Sequence, residues 1–409
     1  MYISDLALND FRSYQEVVLQ LQPGVTTFIG ENGQGKTNLI EAIGYLATFS
    51  SHRVAADVAL VRQGASAAVI RAKVVHDDSP TVVELEILSG KANRARINRG
   101  NVKTRDLLGI VRTVLFAPED LELVRGDPSA RRNFLDSLMI QFKPSLAGIK
   151  SEYEKVLKQR AALLKTAAKI KRRGGIFDET SLDIWDAQFA RLGAQLIAQR
   201  VAIIQLLRQP VQDFYQEVSG GKGIARIDYE ANLLKRLEWQ LPSPEHTHTD
   251  QALADIAARE NELLDVVNNE KKLLDLLKNW RAIEIERGVN LVGPHRDDLR
   301  LTLGSLPAKG FASHGESWSY ALALRLASWV VMREQNNDIW MEHDAEPILI
   351  LDDVFAELDS RRRERLAKII SQAQQVFITA AVGDDVPSEL VGDRFWVESG
   401  SVKLLGDQE

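Results

Sequence analysis

Eight consecutive residues carry the plainest chemistry in the chain. Gly30, Glu31, Asn32, Gly33, Gln34, Gly35, Lys36 and Thr37 fit the phosphate-binding pattern G-x-x-x-x-G-K-[ST] without a gap. In that pattern glycine lets successive backbone N–H groups converge on phosphate oxygens, and the following helix adds the positive end of its dipole. Lys36 is placed to reach the terminal phosphates, and Thr37 offers a hydroxyl to magnesium. A glycine-rich turn matching by chance is the alternative, and the flanks argue against it. Residues 25–29 read as a short, largely apolar strand and residues 38–43 as an amphipathic helix, so the glycines fall on a strand-to-helix turn. The expected ligand is a nucleotide.

A second chemical feature lies near the other end. Residues 347–353, Pro-Ile-Leu-Ile-Leu-Asp-Asp, read as a buried strand ending in paired carboxylates. In P-loop enzymes such a strand lies beside the first one; its terminal acid holds magnesium and the next acid orients the attacking water. Asp352 is therefore assigned to Mg2+, and Asp353 to catalysis with Lys36. A helix cap or turn is the bland reading of an Asp-Asp pair, and the upstream phosphate loop weighs against it. Lys36 and Asp352 are 316 positions apart (352 minus 36), too far for a compact nucleotide-binding fold without an insertion.

The elements that must bring these residues together are read from periodicity. Up to about residue 125 short strands and helices mix: residues 67–75 and 81–88 alternate like paired strands across the turn-forming Asp77-Asp78-Ser79-Pro80. From about 141 to 285 the texture is helical, with few strand-like runs. Trp185, Phe189, Leu192, Leu196 and Ile203 fall near one face of a long helix, Thr180 with Asp183 resembles a capping box at its start, and Gly174-Gly175 marks the tip of a helical hairpin. Residues 220–223 and 241–250 read as loops, and His246 with His248 in the second lacks a third ligand at metal-binding spacing. After about 290 the mixture returns. The expected division is a head built from 1–140 and 286–409, with 141–285 as an inserted helical arm.

Composition bounds the rest. The 409 residues exceed one ordinary core, and 45% hydrophobic with 26% charged residues is globular. No apolar run approaches the length of a bilayer span, and Met1 to Asp5 begins as strand-like alternation without a basic leader, so a cytoplasmic protein without a membrane partner is expected. The absence of cysteine removes disulfides and thiolate metal sites. A net charge of -6 restricts any nucleic-acid binding to a local patch.

Between arm and acidic strand, Phe311-Ala-Ser313-His-Gly315-Glu-Ser-Trp318 runs into a strong helix. It resembles the L-S-G-G-Q signature of ABC-type ATPases: Ser313 and Gly315 match, while Ala312, His314 and Glu316 do not. Assembled in order, the motifs resemble the RecF family over nearly the whole chain. The resemblance rests on Asn9-Asp-Phe-Arg12-Ser-Tyr14, the phosphate loop and its helix, Ser51-His-Arg53 and Phe116-Ala-Pro-Glu-Asp-Leu121. It rests further on Gly126-Asp-Pro-Ser-Ala-Arg131-Arg132, Val292-Gly-Pro-His-Arg-Asp-Asp-Leu299, Leu351-Asp-Asp-Val-Phe-Ala-Glu-Leu-Asp359 and Phe377-Ile-Thr379-Ala380.

That resemblance implies an α/β fold: an ABC-ATPase-type P-loop head with a mixed sheet and an inserted α-helical lobe. It implies a homodimer formed on ATP, in which Ser313 and Gly315 touch the terminal phosphate held by the opposite subunit. It further implies ATP-dependent DNA binding with slow hydrolysis for release, and action with RecR and RecO proteins in recombinase loading at single-strand gaps bordered by duplex. By the same resemblance Arg12 is expected to approach the phosphates, with a surface arginine as its bland reading; Asp359 is expected on the loop after the acidic strand, Thr379 at the switch position often held by histidine, and Glu119 nearest to the missing magnesium-contacting glutamine.

For DNA two basic clusters stand out: Lys165, Lys169, Lys171, Arg172 and Arg173 near the hairpin tip, and Arg94, Arg96, Arg99, Lys103 and Arg105. Each has a solvated face as its bland reading. Neither is interleaved with aromatics, so contact with the backbone of duplex or of a single-/double-strand junction is expected rather than base stacking. Arg131 and Arg132 are expected to pair with Asp127 or Asp136, or to touch DNA; His295 to Asp298 are expected to form a polar network fixing arm to head. Two other classes stay open: a nucleotide-gated DNA clamp with negligible hydrolysis, and a transporter-type ATPase subunit.

Overall fold

The computed structural model describes residues 1–54, 56–221, 223–247, 249–334 and 346–406. A six-stranded sheet carries the phosphate loop, in the order Ser401–Leu405, Gly392–Glu398, Gly24–Ile29, Gln375–Ala380, Ile348–Asp352, Thr113–Phe116. Every junction is parallel except the edge pair formed by Ser401–Leu405. Both faces are covered: Ile348, Ile350 and Phe377 enter one core, while Leu349, Leu351, Val376 and Ile378 enter the other. This explains why the acidic strand reads as an unbroken apolar run rather than an alternation.

One expectation is corrected here. The acidic strand does not lie beside Gly24–Ile29; Gln375–Ala380 lies between them and pairs with both. At about 4.8 Å per strand step the two functional strand ends are some 10 Å apart, a gap that the phosphate loop and the Asp352 side chain close from opposite sides.

A second sheet, antiparallel, runs Tyr14–Gln20, Tyr2–Phe11, Ala67–His76, Ser79–Leu88, Arg94–Ile97, Gly100–Val102. Its hairpin turn is two residues long, Asp77 and Asp78, both at positive φ (45° and 60°) as a tight hairpin demands. Ala68, Ile70, Ala72 and Val74 alternate into the core shared with the helix Lys36–Thr48, and Arg71 and Lys73 face outward.

The central segment forms two long helices, Leu146–Arg172 and Thr180–Ser219, followed by Asp250–Leu263 and Val266–Arg287. Phe189, Leu192, Leu196 and Ile203 are buried along the second of these, with Trp185 half-buried beside them. The capping box expected at its start does not form: Asp178 accepts from the Thr180 amide and hydroxyl, and Asp183 is taken by Arg281. A carboxylate two residues ahead of the helix outcompetes one inside its first turn. The segment also contains a strand the sequence did not reveal, Ala225–Glu230, paired antiparallel with Asp298–Leu303. Helix Thr180–Ser219 packs along His314–Glu334, so the central helical segment shares a core with the elements that follow it.

Candidate functional site

The phosphate loop folds as its glycines permit. A side chain at Gly30 would place Cβ 2.2 Å from the Val397 carbonyl, and at Gly35 2.9 Å from the Tyr14 hydroxyl, with φ at 114°. Glycine is therefore required by a neighbouring strand at the first position, and by both space and conformation at the second. Gln34 accepts from the Ser399 amide at 2.8 Å, which ties the loop crest to the hairpin at the sheet edge. Lys36 Nζ curls back under the crest and donates to the carbonyls of Gly30 and Glu31. A pocket of about 180 Å3 lies over the loop, lined by Asn32, Gly33, Gly35, Lys36, Thr37, Asn38, Arg53, Asp353 and Thr379.

The two distant motifs meet here. Thr37 Oγ1 donates to Asp352 Oδ1 at 3.1 Å across 315 positions, and Thr379 Oγ1 donates to the same oxygen at 2.6 Å. The Thr379 hydroxyl in turn accepts from the Asp353 amide at 2.9 Å, so one threonine orients both acids. Asp353 itself sits at φ 55°, a conformation disfavoured for a side-chain-bearing residue, and its Oδ1 is buried without a hydrogen-bond partner among the described residues. Burial holds its carboxyl above the usual carboxylate range, with Lys36 opposing and Asp352 adding to the shift. Burial likewise lowers the Lys36 ammonium, against the pull of Asp353 and Asp352.

Magnesium takes hard oxygen ligands. The Thr37 hydroxyl and the Asp352 carboxylate that accepts from it form an all-oxygen pair beside the pocket, and this donor chemistry fits that ion.

Other expected site residues lie elsewhere. Arg12 does not line the pocket: its guanidinium is bidentate on the buried Glu41 carboxylate (2.8 and 2.6 Å) and donates to the Ala59 carbonyl. The turn conformation at Arg12, φ 54°, aims the side chain at the phosphate-loop helix rather than at its N-terminus. Ser313 and Gly315 are also outside the pocket. They open the helix His314–Glu334 in a reciprocal cap, where the Ser313 amide donates to Glu316 and the Glu316 amide donates to Ser313 Oγ. Arg125 braces this corner through Ser317, and Arg362 lies over Gly315. Glu119 is exposed and lines a neighbouring cleft of about 640 Å3 that shares Arg53 with the pocket. Asp359 caps the helix Ser360–Ile370.

Two residues near the acids had no assigned role. Arg53 lines the pocket, held by Asn38 at 3.1 Å and facing Glu41 at 3.9 Å. His52 Nε2 lies 3.8 Å from Asp352 Oδ2. Their one sequence signal is the run Ser51-His52-Arg53 directly after the phosphate-loop helix.

The remaining polar motifs serve structure. Arg131 pairs with Asp298 (2.7 and 2.9 Å), not with Asp127 or Asp136, and Arg132 donates to the Asp297 carbonyl. Asp136 is instead taken by Arg200, whose guanidinium also binds the Pro294 carbonyl. The buried Asp297 accepts from Tyr229 and from the Asn232 amide, and burial pushes its carboxyl up to about 6 against the pull of Arg200. Burial also pushes His295, hydrogen-bonded to Tyr153, down to about 3, so it is neutral at ordinary pH. His246 bonds to Ser243, and His248 lies outside the described residues. No helix among the described residues is long and apolar enough to cross a membrane.

Known proteins resemble the chain over nearly its whole length. The RecF/RecN/SMC N-terminal domain family matches residues 2–386. The DNA replication and repair protein RecF of Beutenbergia cavernae is 54% identical over 407 residues, covering 98% of this chain and 99% of that protein. Its counterpart from Streptomyces avermitilis is 52% identical, with coverages of 99% and 100%. Among solved structures, the recombination mediator protein RecF-ATP in the RecFOR pathway aligns with a TM-score of 0.80 at 26% identity, covering 99% of this chain and 98% of that one. An SmcHead bound to the C-winged helix domain of ScpA aligns with a TM-score of 0.52 at 15% identity, covering 99% and 97%, and shares the fold.

Proposed function

The chain belongs to the RecF family, and on that premise we propose that it is an ATP-dependent DNA-binding protein of recombinational repair, acting in the cytoplasm. ATP closes a homodimer, the dimer directs recombinase loading at single-strand gaps or single-/double-strand junctions together with RecR and RecO proteins, and slow hydrolysis releases it. The observation that carries the reading is the convergence of Lys36, Thr37, Asp353 and Thr379 on one small pocket, with Asp352 hydrogen-bonded to both threonines.

Each part has a physical role in this proposal. The loop amides and the N-terminus of Lys36–Thr48 bind the triphosphate, and Lys36 exchanges the loop carbonyls for phosphate oxygens. Arg53 adds positive charge on the same side. Thr37 and Asp352 would hold magnesium, which when bound neutralises phosphate charge. Asp353 orients the attacking water and takes its proton; its carboxylate reaches less far than a glutamate would, and its backbone is strained, which supports slow turnover. Ser313 and Gly315, exposed and away from this pocket, serve the partner's nucleotide across the dimer. Arg12 reaches phosphate only by leaving Glu41. The head comprises 1–140 and 286–409, with 141–285 as the inserted arm.

Sedimentation with ATP, ADP or no nucleotide, with and without gapped duplex, tests the reading. A dimer that forms with ATP and binds the gapped duplex is expected; monomer under every condition would refute it. The unsatisfied, strained Asp353 also favours a second reading, a clamp with negligible hydrolysis, which single-turnover ATP cleavage with magnesium decides.

A further inference from the structure

The two basic clusters differ in what already neutralises them. On the antiparallel sheet Arg94 faces Glu86 at 3.5 Å, Arg96 faces Glu84 at 2.8 Å and Arg105 faces Asp106 at 3.8 Å. At the hairpin tip Lys165, Lys169, Lys171, Arg172 and Arg173 are all exposed, and none forms an ion pair or side-chain hydrogen bond among the described residues. Over residues 165–179 these five cations meet two carboxylates, Asp178 and Glu179, in a chain whose net charge is -6. The negative end of the helix Leu146–Arg172 accounts for part of the excess, but a macrodipole amounts to about half a charge. An excess of three cations (five minus two) is well above that.

Their spacing is also specific. Lys165, Lys169 and Arg172 follow one another by four and three residues and share a stripe on the helix. Four residues advance about 6 Å along the axis, close to two nucleotide steps of one strand at about 3.4 Å each. The side chains extend outward from the C-terminal end of a helix 27 residues long, whose turn at Lys165 and Ala168 lies beside Gly288. We propose that this tip is where the arm grips the phosphodiester backbone of duplex DNA, and that the paired arginines of the sheet do not contribute. The inference rests on the DNA-binding function proposed above and assigns its surface.

The test uses the full chain with ATP and a fluorescent 30-base-pair duplex, read by anisotropy over a salt series. The variant Lys169→Gln/Arg172→Gln/Arg173→Gln is compared with Arg94→Gln/Arg96→Gln/Arg105→Gln, which removes the paired arginines and changes net charge by the same amount. The tip variant is expected to weaken binding at least tenfold and to flatten the log–log salt slope by about 3, with ATP affinity unchanged. The sheet variant stays within twofold of wild type. Equal losses in both variants, or loss in the sheet variant alone, overturn the proposal. An Ile176→Ser variant, which removes the most exposed apolar side chain of the tip (98% exposed), should bind normally; a loss matching the charge variant would replace the ionic contact with an apolar one. If wild type fails to bind duplex with ATP, the DNA-binding reading itself falls, whereas wild-type binding with an unaffected tip variant sinks only this assignment.

Discussion

The phosphate pocket and the root of the arm are both dense in charge, yet they treat it in opposite ways. At the arm root Arg160 spends all three of its guanidinium nitrogens, on Asp186, Asn290 and Glu284, each at 2.6 Å. The second Glu284 oxygen accepts from the Leu291 and Val292 amides, and the second Asp186 oxygen from Arg281. In the pocket an Asp353 oxygen is buried without a hydrogen-bond partner among the described residues, and the Asp353 backbone is strained. Satisfied buried charge fixes a shape, while unsatisfied and strained charge marks where something else is to bind. Arg281 Nε is also buried without a partner, so what sets Asp353 apart is that an unpartnered oxygen and a strained backbone coincide in the phosphate pocket.

Four perturbations would break or sharpen that contrast. The largest effect is expected from Asp353→Asn, which should lower ATP hydrolysis by about 10²–10⁴-fold in steady-state assays. It should retain ATP and let the dimer accumulate in sedimentation, whereas Lys36→Ala should lose ATP binding and dimer together. Hydrolysis left intact by Asp353→Asn would remove the pocket's claim to chemistry. Next, Arg160→Met strands two buried carboxylates and should lower unfolding stability by about 3–5 kcal/mol in urea titrations; Lys36→Ala should shift the same curves by under about 1 kcal/mol. The reverse ranking would defeat the comparison. Arg12→Gln leaves Glu41 with Arg53 and Ser51, so a loss of about 1–2 kcal/mol is expected, with ATP affinity changed less than by Lys36→Ala.

The smallest expected effect is a pH dependence at the arm root. Asp297 is raised to about 6, so between about pH 4 and 6 the folded chain holds a proton that the unfolded chain has released. Its contribution therefore grows as pH falls from 7 towards 5, and thermal melts should show wild type gaining on Asp297→Asn across that window. A gap that narrows on acidification would contradict the assignment.

The phosphate loop, its strand and helix, the acidic strand and the central helical segment were legible in the sequence because each depends on local pattern: glycine spacing, apolar runs and helical period. The boundaries moved by two or three residues at most on the strands, and the helix extended to Thr48. What was not legible depends on which distant partner wins a side chain. Arg12 belongs to Glu41, Arg131 to Asp298 and Asp136 to Arg200, and nothing in the spacing of those residues tells one carboxylate from another. Strand Ala225–Glu230 was masked by its helical surroundings, since its pairing partner begins at Asp298. Sheet order escaped for the same reason: the strand between the two motifs comes from residues 375–380, after both of them.

That order has a consequence for synthesis. Strand Gly24–Ile29 is made early, yet both of its hydrogen-bonding neighbours, Gln375–Ala380 and Gly392–Glu398, leave the ribosome last. At roughly 5–20 residues per second, the nascent chain must carry an apolar strand with two unpaired edges for about 20–70 s. Ribosome-stalled chains ending before residue 375 should stay open to protease at residues 24–29, and they are the species in which a holding chaperone has most to protect.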